Sequence, residues 1–242
     1  MKSILLIQFR TDQSLSHERD CFLRFFQKRK NLRLKVINSF DKKVDFSSPQ
    51  KLLKGIQGVI LGGSGELYLS KIKKERNLKK LIKKISPFIK YILKKDFPTL
   101  GICFGHQILG YFLGENVVED KKQAETGSFL VYLTKEGKEN FLFSHLPEKF
   151  IAQFGHKDSL KNLPKGTKLL AKTKKCKVAA FRYKNNIFGV QFHPELTSQD
   201  IIFRLKLYPG YRGKIKNLKK VLKPSPFASK LIENFLINLY SQ

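Results

Sequence analysis

The sequence predicts an α/β fold, with a doubly wound, mostly parallel sheet that carries helices on both faces and an added region of β-hairpins. Two observations support this prediction. In the first half of the 242 residues, short continuous apolar runs alternate with amphipathic helical stretches, as in parallel sheets whose strands are buried on both faces. In the second half, strand-like segments follow one another across short turns. A chain of this length has room for one large domain, and we expect a single domain over residues 1–242.

The first half contains four predicted strands. Residues 3–9 form a continuous apolar run, and residues 32–37 alternate apolar and basic side chains, which predicts a less buried strand. Residues 58–61 form a third strand that ends at a glycine-rich turn, and residues 98–102 form a fourth.

Apolar side chains at helical spacing predict the helices between these strands. Residues 13–30 carry Cys21 and several phenylalanines about one turn apart, and a further helix follows the third strand. The pair Ser86-Pro87 predicts the start of a separate helix, because Ser is favoured at the N-cap and Pro at the first helical position. A helix over residues 105–113 follows the fourth strand.

The second half is predicted to hold four strands, which extend the sheet or form a second small one as hairpins. A helix, an irregular insertion and a closing helix follow. The predicted strands cover residues 128–133, 169–173, 178–183 and 187–192, the helix 198–207, the insertion 208–226 and the closing helix 227–240.

The chain has a formal net charge of +29, from 48 basic and 19 acidic residues, which suggests nucleic acid or an anionic surface as a partner. Most of the basic residues are lysines spread along the chain, whereas specific nucleic-acid readers group arginine and stacking aromatic side chains on one element. We therefore interpret the charge as a lysine-rich coat and do not expect nucleic acid as a partner. No apolar run is long enough to predict a membrane span, and the opening segment lacks a signal-peptide pattern, so we expect a cytoplasmic protein.

Three cysteines, at positions 21, 103 and 176, are too few for a disulfide framework and form no CxxC pair for zinc. We expect a reducing compartment, and neither a metal nor a cofactor. Cys21 lies among phenylalanines on a predicted helix face and is expected in the core. Cys176 lies between lysines and is expected to be an exposed turn thiol.

Cys103 lies between a buried strand and a helix, in the sequence Gly101-Ile102-Cys103-Phe104-Gly105. A nucleophile at such a junction sits on a tight turn that lifts its side chain clear of the sheet edge, and flanking glycines let strand and helix approach closely. The N–H groups at the start of the helix favour a thiolate. A cysteine in an apolar stretch is more often buried and inert, but this context predicts a nucleophile.

A cysteine nucleophile needs a base and a group that orients the base. His193 follows a strand-like run and lies two residues before Glu195, so a carboxylate is within reach of an imidazole. This arrangement predicts a thiol, an imidazole and a carboxylate that act together. His106 is expected to pack, and His17 and His145 are expected to be surface or structural residues.

Residues 101–107, GICFGHQ, and residues 189–195, GVQFHPE, together resemble the class I glutamine amidotransferase family, and the resemblance extends over residues 1–197 at domain scale. It implies a flavodoxin-like α/β fold with the nucleophile at the carboxyl edge of the sheet. It also implies a glutaminase domain similar to that of GMP synthetases. The Ser-Gly-Gly-x-Asp-Ser loop of an ATP pyrophosphatase domain does not occur in the sequence, so we expect a stand-alone glutaminase domain.

The resemblance implies a role for each matching residue. Cys103 would attack the side-chain amide of glutamine and form a γ-glutamyl thioester, His193 would transfer protons, and Glu195 would orient His193. The oxyanion hole would come from the backbone N–H groups of Gly63 and Phe104.

Further residues are implied to contact or shape the glutamine pocket, namely Gly62, Gln107 and His156, the last together with Asp158. Glu66 lies where the chain departs from the Gly-Gly-Pro turn that is common in the family. It is open to two interpretations, as a contact to the substrate amine or as the N-terminal charge of the next helix.

The predicted function is hydrolysis of the glutamine side-chain amide to glutamate and ammonia, and the candidate acceptor of the ammonia is a separate synthetase subunit. A γ-glutamyl peptidase that acts on glutathione-like peptides is an alternative with the same covalent step. A nucleic-acid-binding or scaffold protein with a vestigial site is a third alternative. The charge of +29 motivates it, and the intact set of Cys103, His193 and Glu195 opposes it.

Overall fold

The computed structural model describes residues 2–27, 29–212 and 222–239. The strands of these residues are β1 (Lys2–Gln8), β2 (Leu32–Asn38), β3 (Ile56–Leu61), β4 (Thr99–Ile102), β5 (Val117–Glu119), β6 (Glu125–Leu133), β7 (Lys149–His156), β8 (Asp158–Leu160), β9 (Thr167–Lys172), β10 (Ala180–Tyr183) and β11 (Ile187–Val190). The α-helices are α1 (Ser14–Leu23), α2 (Pro49–Leu52), α3 (Arg76–Lys95), α4 (Phe104–Phe112), α5 (Lys135–Lys138), α6 (Ser198–Leu207), α7 (Pro209–Arg212) and α8 (Lys230–Asn238).

The main sheet joins a parallel half to an antiparallel half. Its strand order is β2-β1-β3-β4-β11-β10-β9-β6-β7, and β5 pairs with β8 in a second, two-stranded sheet. The ladders from β2 to β11 are parallel, and those from β11 to β7 are antiparallel. The predicted α/β class is confirmed, and the four predicted strands of the hairpin region, β6, β9, β10 and β11, all extend the main sheet.

Helices cover both faces of the main sheet, as predicted. Successive side chains of β1 point to opposite faces, and Leu6 and Ile7 accordingly belong to two different buried clusters. The cluster with Leu6 includes Phe22 of α1 and Phe235 of α8. The cluster with Ile7 includes residues of α3 and α4, such as Ile85.

The prediction of a separate helix that begins at Ser86-Pro87 is wrong, because α3 runs without interruption through Pro87. The apolar face of α3 continues on both sides of the proline, from Ile85 to Phe88, and is buried on both sides. Pro87 itself points to solvent. Water can therefore solvate the carbonyl that loses its helical hydrogen bond, and burial of the apolar face outweighs the cost of an internal proline.

Three strands were not predicted, namely β5, β7 and β8. The signal for β7 was present in the sequence, since Phe150, Ala152 and Phe154 alternate and are fully buried. The helix predicted at 198–207 is confirmed as α6. Of the predicted insertion at 208–226, residues 213–221 lie outside the described residues.

The predicted closing helix at 227–240 is shorter in the structure, where α8 covers Lys230–Asn238, and Tyr240 lies outside the described residues. Across residues 2–27, 29–212 and 222–239, no helix has both the length and the apolar character that crossing a membrane requires.

Candidate active site

The candidate site lies at the carboxyl ends of the parallel strands, beside the point between β1 and β3 where the strand order reverses. Arg10 follows β1, Gly63 follows β3, Cys103 follows β4 and His193 follows β11. Because the carboxyl ends of parallel strands meet at one edge of the sheet, residues from four separate segments come together here.

Cys103 forms a strained turn between β4 and α4, with a φ of 51° that non-glycine residues rarely adopt. A Cβ on Gly101 would lie 2.7 Å from the Gly105 carbonyl oxygen, and a Cβ on Gly105 would lie 2.2 Å from the Leu61 carbonyl oxygen. Both distances are far inside van der Waals contact, so only glycine lets α4 begin this close to β3 and β4. The two glycines therefore maintain the turn that holds the Cys103 thiol.

Cys103, His193 and Glu195, which the sequence predicts to act together, lie together in the structure. His193 Nδ1 and Glu195 Oε1 are 2.7 Å apart, and both side chains are almost completely buried. Cys103 lies on the other side of the same imidazole, since a Cβ on Gly63 would come within 3.0 Å of His193 Cε1 and 3.7 Å of Cys103 Cβ. The backbone N–H of His193 donates to the Gln153 carbonyl at 2.8 Å, which anchors the base to β7.

The charges around His193 favour its protonated form. Burial alone would lower the pKa of His193, but the charges of Glu195 and Cys103 and the hydrogen bonds to both outweigh burial and raise that pKa to about 10. Burial would likewise raise the pKa of Glu195, and the charge and hydrogen bond of His193 keep it below its usual range. Each member of the pair therefore favours the charged form of the other.

Of the two N–H groups in the predicted oxyanion hole, that of Phe104 has no acceptor within its helix, and that of Gly63 already donates a hydrogen bond. Phe104 is the first residue of α4, where an N–H has no acceptor within the helix. Gly63 lies against the site, since a Cβ there would come within 3.0 Å of His193 Cε1 and 3.7 Å of Cys103 Cβ. Its N–H, however, donates to Glu18 Oε1 at 3.1 Å. The predicted oxyanion role of Gly63 does not hold in this arrangement, because a buried carboxylate accepts that N–H.

Glu18 is a fully buried carboxylate on α1 that no sequence motif indicated. Besides the Gly63 N–H, it accepts hydrogen bonds from Arg10 Nε at 2.9 Å and from Gln8 Nε2 at 3.0 Å. Burial would lower the pKa of Arg10, but the charge and hydrogen bond of Glu18 raise it. The position of Glu18 in the sequence could have indicated its burial. It lies four residues before Phe22 and hence on the same, apolar face of the helix.

A small cavity opens beside Cys103, and three of the predicted pocket residues, Gln107, His156 and Asp158, line it. The Gln107 side-chain amide donates to the Asp158 carbonyl at 2.9 Å, and His156 Nδ1 donates to the same carbonyl at 3.0 Å. The Asp158 carboxylate accepts from the hydroxyl of Ser70 at 2.7 Å. Other lining residues, which no motif indicated, are Ser64, Tyr68, Lys157 and Tyr211.

Gly62 and Glu66 do not lie against this cavity. The Gly62 N–H donates to the Ile7 carbonyl at 2.9 Å and its carbonyl accepts from Gly105 N–H at 3.1 Å, so its backbone connects β1, β3 and α4. Glu66 is exposed, and no α-helix begins beside it. The backbone of Gly62 is therefore structural here. Glu66 lines a neighbouring cavity with Arg10 and Ser64, and both of its interpretations stay predictions.

The other histidines differ in their surroundings. His106 is fully buried and packs against Phe181 with ring centroids 5.0 Å apart, and burial lowers its pKa to about 3, in agreement with the predicted packing role. His145 is exposed. His17 bonds to Asp200 at 3.2 Å, which makes it a structural residue between α1 and α6.

The predictions for the two remaining cysteines have different outcomes. Cys21 is buried in the core as predicted. The prediction that Cys176 is an exposed turn thiol is wrong, because only 1% of Cys176 is exposed. The Thr173 hydroxyl accepts the N–H groups of Lys175 and Cys176, and this turn directs the thiol inward while the adjacent lysines face solvent.

Comparison with known proteins gives the same family as the sequence motifs. The family described as glutamine amidotransferase class-I matches residues 30–201. The chain is 35% identical over 170 residues to a glutamine-hydrolyzing GMP synthase of Borreliella burgdorferi, with 69% of this chain and 30% of that protein covered. It is 34% identical over 167 residues to one subunit of the glutamine-hydrolyzing GMP synthase of Methanocaldococcus jannaschii, with 67% and 79% covered. The chain thus spans about 30% of the length of the first of these relatives.

Among solved structures, the fold resembles a glutamine amidotransferase from Thermotoga maritima, with a TM-score of 0.77, 22% sequence identity, and 100% and 99% of the two chains covered. It also resembles a putative GMP synthase subunit from Thermoplasma acidophilum, with a TM-score of 0.68, 22% identity, and 100% and 95% covered. These similarities support the fold.

Proposed function

Because the chain belongs to the class I glutamine amidotransferase family, we propose that it hydrolyses the side-chain amide of glutamine through a γ-glutamyl thioester on Cys103. The observation that carries this proposal is the arrangement of three side chains. A thiol on a strained turn at a helix N-terminus lies beside a buried imidazole, and a carboxylate lies 2.7 Å from Nδ1 of that imidazole.

The reaction has two halves. In the first, the Cys103 sulfur attacks the amide carbon while His193 holds the thiol proton. When the tetrahedral intermediate collapses, the carbon–nitrogen bond breaks and His193 gives its proton to the departing nitrogen. Ammonia departs, and the thioester remains on Cys103. The raised pKa of His193 supports this step, since a protonated base is ready to act as the acid.

In the second half, His193 takes a proton from water, and the resulting hydroxide attacks the thioester carbon. The carbon–sulfur bond breaks, glutamate leaves, and the proton returns to the thiol. Glu195 keeps Nδ1 of His193 in its hydrogen bond throughout, so that the opposite nitrogen faces the sulfur. The sum is glutamine and water to glutamate and ammonia.

One oxyanion donor is proposed to be the Phe104 N–H, which lies at the start of α4. A second donor from Gly63 requires the peptide to turn away from Glu18. The proposed reaction therefore involves a rearrangement of the turn after β3 when the substrate binds.

The ammonia is proposed to pass to a separate synthetase subunit. Two observations support this step: the M. jannaschii relative is named as one subunit of its enzyme, and the match covers 79% of that protein. The γ-glutamyl peptidase alternative gains no support from the cavity at Cys103, which Tyr211 and Lys157 border closely.

A glutaminase assay with a trapped intermediate tests the proposal. The purified chain should release glutamate from glutamine, and an electrophilic diazoketone analogue of glutamine should add one covalent group to Cys103, as measured by mass spectrometry. Cys103→Ala should abolish both results. Cys21→Ala changes another buried cysteine and is the matched control that should keep both. Glutamate release from glutathione conjugates but not from glutamine would instead establish the peptidase.

A further inference from the structure

A second cluster of chemically reactive side chains lies behind the cavity at Cys103. Glu125 begins β6, His156 ends β7, and Cys176 lies in the turn between β9 and β10. Their side-chain ligand atoms all lie within 4.8 Å of one another, and all three residues are buried, with at most 2% of each exposed.

Two buried polar atoms in this cluster, one on His156 and one on Glu125, face each other. The Asp158 carbonyl can only accept a hydrogen bond, so His156 Nδ1 donates to it at 3.0 Å, and Nε2 is the ring nitrogen that faces Glu125. Nε2 lies 3.8 Å from Glu125 Oε2, which is beyond hydrogen-bond distance. Neither atom has a hydrogen-bond partner among the described residues. Two buried polar atoms this close are costly to leave without a partner, and a metal ion between them would satisfy both.

The surroundings hold these groups in place. The Thr173 hydroxyl donates to Glu125 Oε1 at 2.7 Å and accepts from the Cys176 N–H at 2.8 Å, so one residue orients both the carboxylate and the thiol turn. The Asp158 carbonyl fixes the ring of His156. A hydrogen bond from the free ring nitrogen of a histidine to a carbonyl is the usual support of a metal-ligating imidazole.

We propose that Glu125, His156 and Cys176 bind a divalent transition-metal ion through Oε2, Nε2 and Sγ, and that the ion is Zn²⁺. Mixed nitrogen, oxygen and sulfur ligands in a small set suit zinc, whereas calcium and magnesium require oxygen ligands. A thiolate and a carboxylate carry two negative charges, which the dication neutralises, so the complex can be buried at little electrostatic cost. No sequence motif indicated this site, because its three residues are scattered from position 125 to 176.

The chain contains another trio of possible ligands, and the contrast supports this assignment. His17, Cys21 and Asp200 also lie within 4.8 Å of one another. There, however, Arg204 Nε donates to His17 Nδ1 at 2.9 Å, Nε2 bonds to Asp200 at 3.2 Å, and Arg24 occupies the other carboxylate oxygen at 2.7 Å. Every histidine lone pair is already used, so this trio carries no metal site.

The proposed ion would connect three segments of the antiparallel half to the wall of the active-site cavity. His156 lines that cavity, and its Nδ1 and the Gln107 amide both donate to the Asp158 carbonyl. The ion would therefore hold His156 and the β7–β8 turn rigid behind the substrate. This role is structural and is independent of the proposed hydrolysis.

Titration of the full chain with Co²⁺, a spectroscopic substitute for Zn²⁺, tests the site. One equivalent should produce visible ligand-field bands of Co²⁺ and a near-ultraviolet charge-transfer band from a thiolate. Cys176→Ser should remove the charge-transfer band and weaken binding at least about 100-fold. Cys21→Ser and Cys103→Ser should keep both signals, because they change the other trio and the nucleophile.

A second measurement tests the site even if the Cys176→Ser variant does not fold. Zinc measured by mass spectrometry after purification and dialysis should reach one ion per chain in the wild type and fall in Glu125→Gln. A strong chelator should lower the melting temperature of the wild type and leave that of Glu125→Gln unchanged. Absence of stoichiometric Zn²⁺ and Co²⁺ binding, or loss of the thiolate band in Cys103→Ser alone, would overturn the proposal. Either result leaves the glutaminase assay unaffected.

Discussion

Replacement of Gly105 by alanine should reduce both the stability of the chain and its rate of glutamine hydrolysis. The new Cβ would lie 2.2 Å from the Leu61 carbonyl oxygen, where ordinary contact begins at 3.4 Å, so α4 and β3 must separate by roughly 1 Å. Overpacking of this kind costs about 1–3 kcal/mol. Each kcal/mol lowers the melting temperature by about 2–4 °C in a chain of this size.

The same separation displaces the first turn of α4, and with it the Cys103 thiol and the Phe104 N–H. A misplacement of about 1 Å in an active site can reduce the rate about 100-fold. We therefore expect kcat for glutamine to fall by about that factor in a chain that still folds. Circular dichroism melts and a coupled glutamate assay at saturating glutamine measure the two effects separately.

Gly137→Ala is the matched control for Gly105→Ala. Its Cβ would lie 2.0 Å from the Leu170 carbonyl oxygen, an equally close clash with backbone, but at α5 beside β9. It should lower the melting temperature to a similar extent and leave kcat unchanged. A Gly105→Ala enzyme with normal kcat, or a Gly137→Ala enzyme with an equal loss of kcat, would refute the reasoning.

Three further predictions follow from the charged groups. Glu195→Gln should lower the pKa of His193 from about 10 and reduce kcat by about 10²–10⁴-fold. The alkaline limb of the pH–rate profile should then move to lower pH, and a limb that does not move would contradict this prediction. Hydrogen bonds outweigh partial burial and hold the pKa of Asp200 below its usual range, so Asp200 stabilises the fold above about pH 4 and loses that effect as the pH falls through its folded-state pKa. Asp200→Asn should therefore lower the free energy of unfolding by about 1–2 kcal/mol at neutral pH, measured in urea, with a difference from wild type that shrinks in acid; a pH-independent difference would argue against it. Glu18→Ala leaves Arg10 buried without its partner and should cost about 3–5 kcal/mol in the same measurement, whereas a loss below about 1 kcal/mol would show that the pair contributes little.

Local patterns in the sequence were sufficient for the α/β class and for the choice of Cys103, His193 and Glu195 as candidate nucleophile, base and carboxylate. The strand before Cys103 is a short apolar run and the residues around it are glycines, so composition alone marks the turn. His193 and Glu195 are two residues apart, and their contact needs no long-range information. The interruption predicted at Ser86-Pro87 failed because burial of the whole α3 face outweighed a local helix-start signal.

The sequence by itself determined which residues are candidates for the proposed chemistry, because Cys103, His193 and Glu195 lie in short motifs whose spacing is read directly. Only the tertiary structure decided what surrounds them. It placed the Glu18 carboxylate of α1 on the Gly63 N–H, and it turned Cys176 inward beside Glu125 and His156. These contacts join residues far apart in the chain, and they depend on strand order and side-chain burial, which no local pattern encodes.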